Sequence, residues 1–251
     1  MKISVITVCK NSSKTIQQTI ESVLSQSHED VEHIFCDGGS DDTTVELIKA
    51  KAGSNSTLIQ GADKGIYDAI NKGISHATGD IIAILNSDDF YSSEEVLEKV
   101  SKSFVNGTEA VYGDLIYVKP ENTDKVVRYW KTGNLKPNKF RWGWTLPHPS
   151  LFLRKSVYDK YGLYNDSYKI AGDYDLILRL FYKERIETRY IPEVLVKMRT
   201  GGASNGSFSK KIKVHNEDIL AWKNNDIKPK PFTLVFKKLR KMGQYIFHKI
   251  D

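Results

Sequence analysis

Three acidic groups have the residue types and spacing to do chemistry. In Ile84-Leu85-Asn86-Ser87-Asp88-Asp89 an apolar run ends in adjacent acids. Negative charge is costly beside apolar surroundings, and Mg2+ or Mn2+ relieves it by sharing one or two carboxylates with substrate phosphates. Asp88 and Asp89 are therefore candidate metal ligands, although Ser87 or Asp88 could instead cap a following helix. Asp37-Gly38-Gly39-Ser40-Asp41-Asp42-Thr43 follows a second apolar run. Its glycines allow a tight turn and close approach to a ligand. Asp37, at the strand tip, can accept hydrogen bonds from a base N–H, whereas Ser40, Asp41 or Asp42 can cap the next helix. In Ala171-Gly172-Asp173-Tyr174-Asp175, Asp173 opens a helical pattern with Leu176, Ile177 and Leu180 inside. It is either an N-cap or a general base that takes a proton from a hydroxyl. Asp175 has a structural role, paired with Arg179 at the i,i+4 spacing.

The elements between these groups alternate. Short β-branched runs at 3–8, 31–36, 56–59 and 81–85 read as strands covered on both faces. Helical spacing fills the intervals: Ile16, Ile20, Val23 and Leu24; Val45, Leu47 and Ile48; Ile66, Ala69, Ile70 and Ile74; then a helix over 94–104. Such alternation predicts an α/β fold with a Rossmann-like, mostly parallel central sheet flanked by helices. Ligands in such sheets bind beyond the carboxyl ends of the strands, where the first two acidic groups fall. The second half is less regular. Strands are expected at 110–118 and 190–198 and helices at 156–161 and 174–182, around an aromatic and Pro/Gly-rich stretch at 128–149. This gives a domain over 1–227, with a regular half (1–105) and a less regular half (106–227), followed by a tail over 228–251.

Charge narrows the choice of partner. The tail holds seven of the 37 basic and one of the 31 acidic residues, so the rest of the chain carries 30 of each. A balanced body argues against a nucleic-acid groove. Cys9 and Cys36 sit in apolar runs and read as buried free thiols of a reducing compartment. The start of the chain has no signal-peptide pattern and no stretch is long enough to span a bilayer, so a cytoplasmic protein is expected.

Taken together and in order, these motifs resemble the family 2 inverting glycosyltransferases, whose fold is called GT-A. The resemblance covers about residues 1–205. It rests on Val5-Ile6-Thr7-Val8 with Asn11, Ser22-Val23-Leu24-Ser25-Gln26-Ser27, the Asp37 turn, and Asp63-Lys64-Gly65-Ile66-Tyr67-Asp68. Ala77-Thr78-Gly79-Asp80, Asn86-Ser87-Asp88-Asp89, His148-Pro149-Ser150 and the Asp173 segment complete it. It is most similar to the bacterial surface-polysaccharide branch, of colanic-acid and O-antigen type. The resemblance implies that Thr7 and Asp37 contact the nucleotide base and that Asp63 lies near the base or ribose. Asn11, Gly65, Asn86, Ser87, Asp88 and His148 would join them around a nucleotide-diphosphate sugar, with Asp88 and Asp89 on a Mn2+ or Mg2+ ion and Asp173 as the base. It further implies that 1–105 is a nucleotide-binding half and 106–227 an acceptor and catalytic-base half, with a glycan acceptor linked to polyprenyl diphosphate. Two departures stand out: Asn86 replaces the first acid of the usual Asp-x-Asp, and Gly172 replaces the acid that usually precedes the base. Arg199-Thr200-Gly201-Gly202-Ala203-Ser204 looks like a closing loop. Trp130, Trp142 and Trp144 are candidates for sugar stacking or for packing.

In the tail, Phe232, Val235, Leu239, Met242 and Ile246 recur at helical spacing, with Phe236 and Phe247 beside them and Lys237, Lys238, Arg240 and Lys241 largely elsewhere. A basic amphipathic helix of this kind predicts peripheral contact with an anionic membrane on its inner face, with packing on the body or on a second subunit as the alternative. A nucleotidyltransferase would need a glycine-rich loop after the first strand, where Cys9-Lys10-Asn11-Ser12-Ser13 stands. A dehydrogenase would need Gly-x-Gly-x-x-Gly there. A non-catalytic sugar-binding module would have no reason to keep Asp88, Asp89 and Asp173 together.

Overall fold

A computed structural model of the chain describes residues 1–201 and 208–246. Its first half follows the alternation: β1 (Ile3–Cys9), α1 (Ile16–Leu24), β2 (Val31–Asp37), α2 (Thr44–Lys51), β3 (Ser56–Gln60), α3 (Ile66–His76), β4 (Ile81–Ile84), β5 (Asp89–Tyr91) and α4 (Val96–Ser103). The second half adds β6 (Ala110–Lys119), β7 (Asn122–Trp130), β8 (Leu151–Arg154), α5 (Lys155–Tyr161), α6 (Gly172–Ile177), β9 (Thr188–Arg199), α7 (Phe208–Asn224) and α8 (Thr233–Ile246). One sheet takes all nine strands, in the order β3-β2-β1-β4-β8-β6-β9-β5 with β7 beside β6. Strands β1–β4 run parallel, so the ends at Cys9, Asp37, Gln60 and Ile84 share one edge. Beyond β4 the sheet is mixed: β8 is antiparallel to β4 and β6, while β9 runs parallel to β6.

Sequence periodicity locates α3 and three of the four residues expected on its inner face, Ala69, Ile70 and Ile74, which are buried. Ile66 is the exception at 41% exposed, and Tyr67 is buried instead. Gly73 and Ala77 complete the inner face, because Gly73 lets the helix backbone rest on β1. A Cβ at Gly73 would stand 2.4 Å from Ile6 Cγ2. Leu24, expected inside, is 53% exposed one turn past Ile20. One hydrophobic cluster runs from Ile6 and Ile34 through Tyr112 and Leu153 to Trp222, so both halves share a core. At Gly113 the backbones of β6 and β9 approach closely, for a Cβ there would lie 2.5 Å from the Leu195 side chain. The register shifts on either side of Asp114. Its buried carboxylate accepts from Tyr129 and Tyr190 hydroxyls and from the Thr132 N–H, at 2.7–2.8 Å. That junction carries β7 outward, where its residues Arg128, Tyr129 and Trp130 help wall a cleft.

The helix expected in the tail exists as α8, but it is not detached. It crosses the 3-10 helix Pro137–Trp142 and the face of β7. The crossing depends on Gly143, whose φ is +71°, and a Cβ there would lie 2.1 Å from the Lys237 nitrogen. Thr233 Oγ1 donates to the Arg141 carbonyl, Arg240 Nε to that of Trp142, and the Arg128 guanidinium to Gln244 Oε1. Phe236 packs on Trp142. Phe247, Lys249 and Asp251 lie outside the described residues.

Gly143→Ala should therefore lower stability by about 1–3 kcal/mol through left-handed strain and overpacking. It should also let trypsin cut at Lys237–Lys241 earlier than in the wild type. Unchanged melting and digestion would mean that α8 is not seated on this glycine.

Candidate active site

The shared edge of the parallel strands opens into a cleft of about 1540 Å³. Residues 10–15, Asp63 and Gly65, and Asn86, Ser87 and Asp88 line it, together with His148, Lys169, Asp173 and residues of β7 and α8. Gly65 has φ 154° and ψ 178°, a glycine region from which α3 starts. Asp63 is held at the rim by Lys72, at 2.5 Å. It leans over Gly38, where a Cβ would be 3.1 Å from Asp63 Oδ2. Asn11, in the left-handed region at φ 52°, accepts from Asp41 N–H and donates its own N–H to Ser40. Ser12 and Ser87 hydroxyls meet at 2.8 Å and join the first and fourth strand ends.

Thr7 and Asp37 do not line the cleft. Thr7 is fully buried and its hydroxyl meets His33 Nε2 at 2.8 Å. Asp37 is 2% exposed, and its carboxylate accepts Gly39 N–H, Ser40 N–H and the Ser40 hydroxyl. Both sit directly behind the lining and shape its floor.

Asp88 and Asp89 are not equivalent. Asp88 faces the cleft and is half-buried, while its carbonyl accepts from Arg199. Asp89 belongs to β5 and is wholly buried; Asn86 Nδ2 donates to its Oδ2 at 2.9 Å, and its Oδ1 has no hydrogen-bond partner among the described residues. Burial raises both carboxyl pKa values, and the Asp88 charge raises Asp89 further. Among the described residues no three His, Cys, Asp or Glu side chains converge on a point. One cleft-facing carboxylate with an under-satisfied acid behind it fits a hard cation completed by substrate phosphates and water, and does not fit a closed protein cage.

Asp173 lies in the first turn of α6 rather than at its N-cap, which is Ala171. Its Oδ1 accepts Tyr174 N–H at 2.8 Å and the Tyr67 hydroxyl at 3.4 Å. Its Oδ2 has no hydrogen-bond partner among the described residues. The Tyr67 hydroxyl also donates to the Ile170 carbonyl, and the Tyr67 ring stacks on Tyr164, whose hydroxyl meets His148 Nε2 at 2.6 Å. Burial lowers the His148 pKa, against the pull of Asp173. The expected Asp175–Arg179 pair does not form a salt bridge. Arg179 donates to the Gly162 and Leu163 carbonyls, and Asp175 accepts from Tyr168 and Asn225. Asp175 thus ties α6 to the end of α7. Trp144 is buried with its Nε1 on the Thr132 carbonyl, Trp130 lines the cleft under Arg128, and Trp142 is 47% exposed beside α8.

Sequence reasoning missed Tyr67, Tyr164 and Arg199 as site residues. Tyr67 carried a usable signal, standing one turn before Ile70 on the inner face of α3. Arg199 was read as the start of a loop, and it ends β9 by bracing the Asp88 carbonyl. Residues 202–204 of that loop lie outside the described residues.

The Glycosyl transferase family 2 model matches residues 4–162, more than half of the chain. The chain belongs to that family. This family 2 glycosyltransferase is 27% identical over 220 residues to a PGL/p-HBAD biosynthesis glycosyltransferase of Mycobacterium bovis, covering 80% of this chain and 78% of the relative. Its fold is GT-A, like that of S. aureus TarS in complex with UDP-GlcNAc (TM-score 0.67, 18% identity, 91% of this chain and 68% of that one). The mannosyltransferase PcManGT of Pyrobaculum calidifontis, in complex with GDP-Man and Mn2+, superposes with a TM-score of 0.63 at 17% identity, covering 94% of this chain and 68% of that one. At these identities the two structures speak for the fold alone.

The Thr7–His33 contact gives a pH prediction. Burial pushes the His33 pKa down to about 3 from 6.5. Between those values the unfolded chain binds a proton that the folded one refuses. Stability is therefore fully present above about pH 6.5 and falls toward pH 3, by at most about 1.4 kcal/mol per unit. Urea midpoints of His33→Gln should be flatter across this range than those of the wild type. Equal slopes would assign the pH dependence to other groups.

Proposed function

We propose that this glycosyltransferase is inverting and metal-dependent, and moves a sugar from a nucleoside-diphosphate donor to a hydroxyl of a lipid-linked glycan in bacterial surface-polysaccharide synthesis. The observation that carries the reading is the unpartnered Asp173 Oδ2 in the same cleft as Asp88. Asp173 Oδ2 takes the proton of the acceptor hydroxyl, whose oxygen attacks the anomeric carbon from the face opposite the diphosphate. The bond from that carbon to the diphosphate oxygen breaks, and the nucleoside diphosphate leaves. Tyr174 N–H and Tyr67 hold Oδ1, which aims Oδ2 at the acceptor. Asp88 would hold a Mn2+ or Mg2+ ion with the donor phosphates, and that ion would stabilise the charge on the leaving group. Asp89 acts from behind, fixed by Asn86. Asn11, Asp63, Gly65, Ser87 and His148 shape the donor and acceptor surfaces, while Thr7 and Asp37 hold the floor beneath the base.

A thermal-shift panel of UDP, GDP and dTDP with and without Mn2+ tests the donor and the ion, since a ligand of the native state raises Tm by mass action. One diphosphate should stabilise the protein, and Asp88→Ala should remove the Mn2+-dependent part. With the matching sugar donor, Asp173→Asn should keep the shift and slow transfer about 10²–10⁴-fold. Stabilisation by none of the three, or full transfer by Asp173→Asn, would refute the assignment.

For the membrane, α8 supplies the surface. No helix among the described residues is long and apolar enough to cross a bilayer. Along α8, however, Val235, Leu239 and Met242, with Phe232 just before its start, are 51–64% exposed in one stripe. Such a stripe with basic flanks suits shallow insertion among anionic headgroups. Phe232→Ser/Leu239→Ser/Met242→Ser should abolish binding to phosphatidylglycerol vesicles and leave Tm nearly unchanged, because the three side chains are exposed. Retained vesicle binding would remove the stripe from the membrane contact.

A further inference from the structure

We infer that the inner face of α8 and the adjoining strand β7 form a second anion site in the cleft, for a phosphate or diphosphate group on the acceptor. The inference rests on the transfer reading above and goes beyond it by naming the group that is bound and the residues that bind it. Its starting point is the placement of charge. The body is balanced, and the excess of cations is carried by the tail. Folding brings that excess to the cleft, since Lys237, Arg240 and Lys241 of α8 line it together with Arg128 and Lys131. The seat on Gly143 and the contacts of Arg240 and Gln244 fix which way the helix is turned, so this face cannot roll outward.

The site lies beside the proposed base. Lys237 Nζ is 3.3 Å from the centroid of the Tyr174 ring, the residue after Asp173, and 2.7 Å from Asp218 Oδ1. Arg128 stacks over Tyr117 and Trp130 and donates to the neutral Gln244 amide, which holds its guanidinium plane in place. Arg240 spends its Nε on a carbonyl. Guanidinium groups fixed in this manner, with an ammonium alongside, suit the oxygens of a phosphate.

Two further considerations separate this site from the donor's. The proposed donor diphosphate is already provided for by the ion at Asp88, which precedes β5, and β9 and β6 stand between β5 and β7 in the sheet. At about 1540 Å³ the cleft also exceeds the roughly 300–1,000 Å³ that serves one small ligand, leaving room for two. The apolar stripe on the outer side of the same helix would place this row of cations at the level of a lipid headgroup.

The test uses the full chain. With UDP and Mn2+ present in saturating amounts, farnesyl diphosphate, inorganic pyrophosphate and phosphatidylglycerol vesicles are titrated separately and the affinity of each is measured. Farnesyl diphosphate should bind the wild type, and Arg240→Gln/Lys241→Gln should weaken it about tenfold or more through the lost charge-assisted contacts. The UDP–Mn2+ thermal shift of that variant should stay at the wild-type value, which certifies its fold. Lys238→Gln, on a residue that is exposed and not in the cleft lining, should bind farnesyl diphosphate like the wild type. Pyrophosphate binding that matches farnesyl diphosphate would assign the site to phosphate alone, and weaker pyrophosphate binding would add a lipid contribution; either supports it. The site is overturned if farnesyl diphosphate does not bind, if Lys238→Gln weakens it equally, or if the double variant loses only vesicle binding. If UDP and Mn2+ themselves fail to stabilise the protein, the transfer reading falls, and the same titrations without nucleotide still decide whether the anion site exists.

Discussion

The structure is organised around the cost of holding carboxylates at the rim of an apolar sheet. An acid buried there must be satisfied by hydrogen bonds or by an opposite charge. Neutral donors recur in that role. Asp37 is held by two backbone N–H groups and a serine, Asp114 by two tyrosines and an N–H, Asp175 by a tyrosine and an asparagine, and Asp89 by Asn86. Neutral donors fix a carboxylate without cancelling its charge. Of the rim acids, Asp88 and Asp173 face the cleft, where burial raises the Asp88 pKa and a bound cation would offset the cost of its charge. Where a cation does pair with an acid, at Asp63–Lys72 and Asp218–Lys237, the pair stands at the cleft wall and fixes a helix.

The first half of the fold was legible because its strands are short, apolar and separated by helical spacing. The first two acidic motifs then fell at strand ends by topology alone. The second half obeys different physics. β7 carries Asn122, Asp124, Lys125 and Arg128 and pairs only with β6, as an edge strand blunted by charge, so it shows no strand pattern. β8 is four residues long. α7 buries Asp218, Ala221 and Trp222, with Asn225 just beyond its end, a mixture that no hydrophobic period reveals. The elements of the site followed the same division. Asp88 and Asp173 could be found from their neighbours in sequence. Tyr67 beside Asp173, 106 positions apart in sequence, and Arg199 beside Asp88 depend on tertiary packing.

The tail shows how one amphipathic pattern can serve two surfaces. Its spacing marked a helix with apolar and basic sides, and seating on the body was the alternative to an anchor. The structure shows the seat: one face rests on Gly143 and β7, while the apolar stripe remains exposed. A narrow helix with three distinct faces has room for this, since contacts with the body at Thr233, Phe236 and Gln244 occupy a different side from Phe232, Leu239 and Met242.

The two departures from the family pattern have local physical reasons. At position 172 a Cβ would come within 2.8–2.9 Å of the Tyr67 ring. A glutamate there would require that ring to move, and with it the hydroxyl that reaches Asp173 Oδ1. The missing acid and the buried tyrosine are thus one arrangement, in which a neutral ring takes the place of a second carboxylate beside the base. At position 86 the side chain stands 2.9 Å from Asp89 Oδ2 and donates to it. An ionised acid at that point would face Asp89 as a like charge in a buried site, and one of the two would have to stay protonated. Asparagine removes that conflict and keeps the turn that presents Asp88 to the cleft. In both places a neutral group stands where the family pattern has an acid, so Asp88 meets no like charge from position 86 in addition to that of Asp89, and Asp173 meets none from position 172.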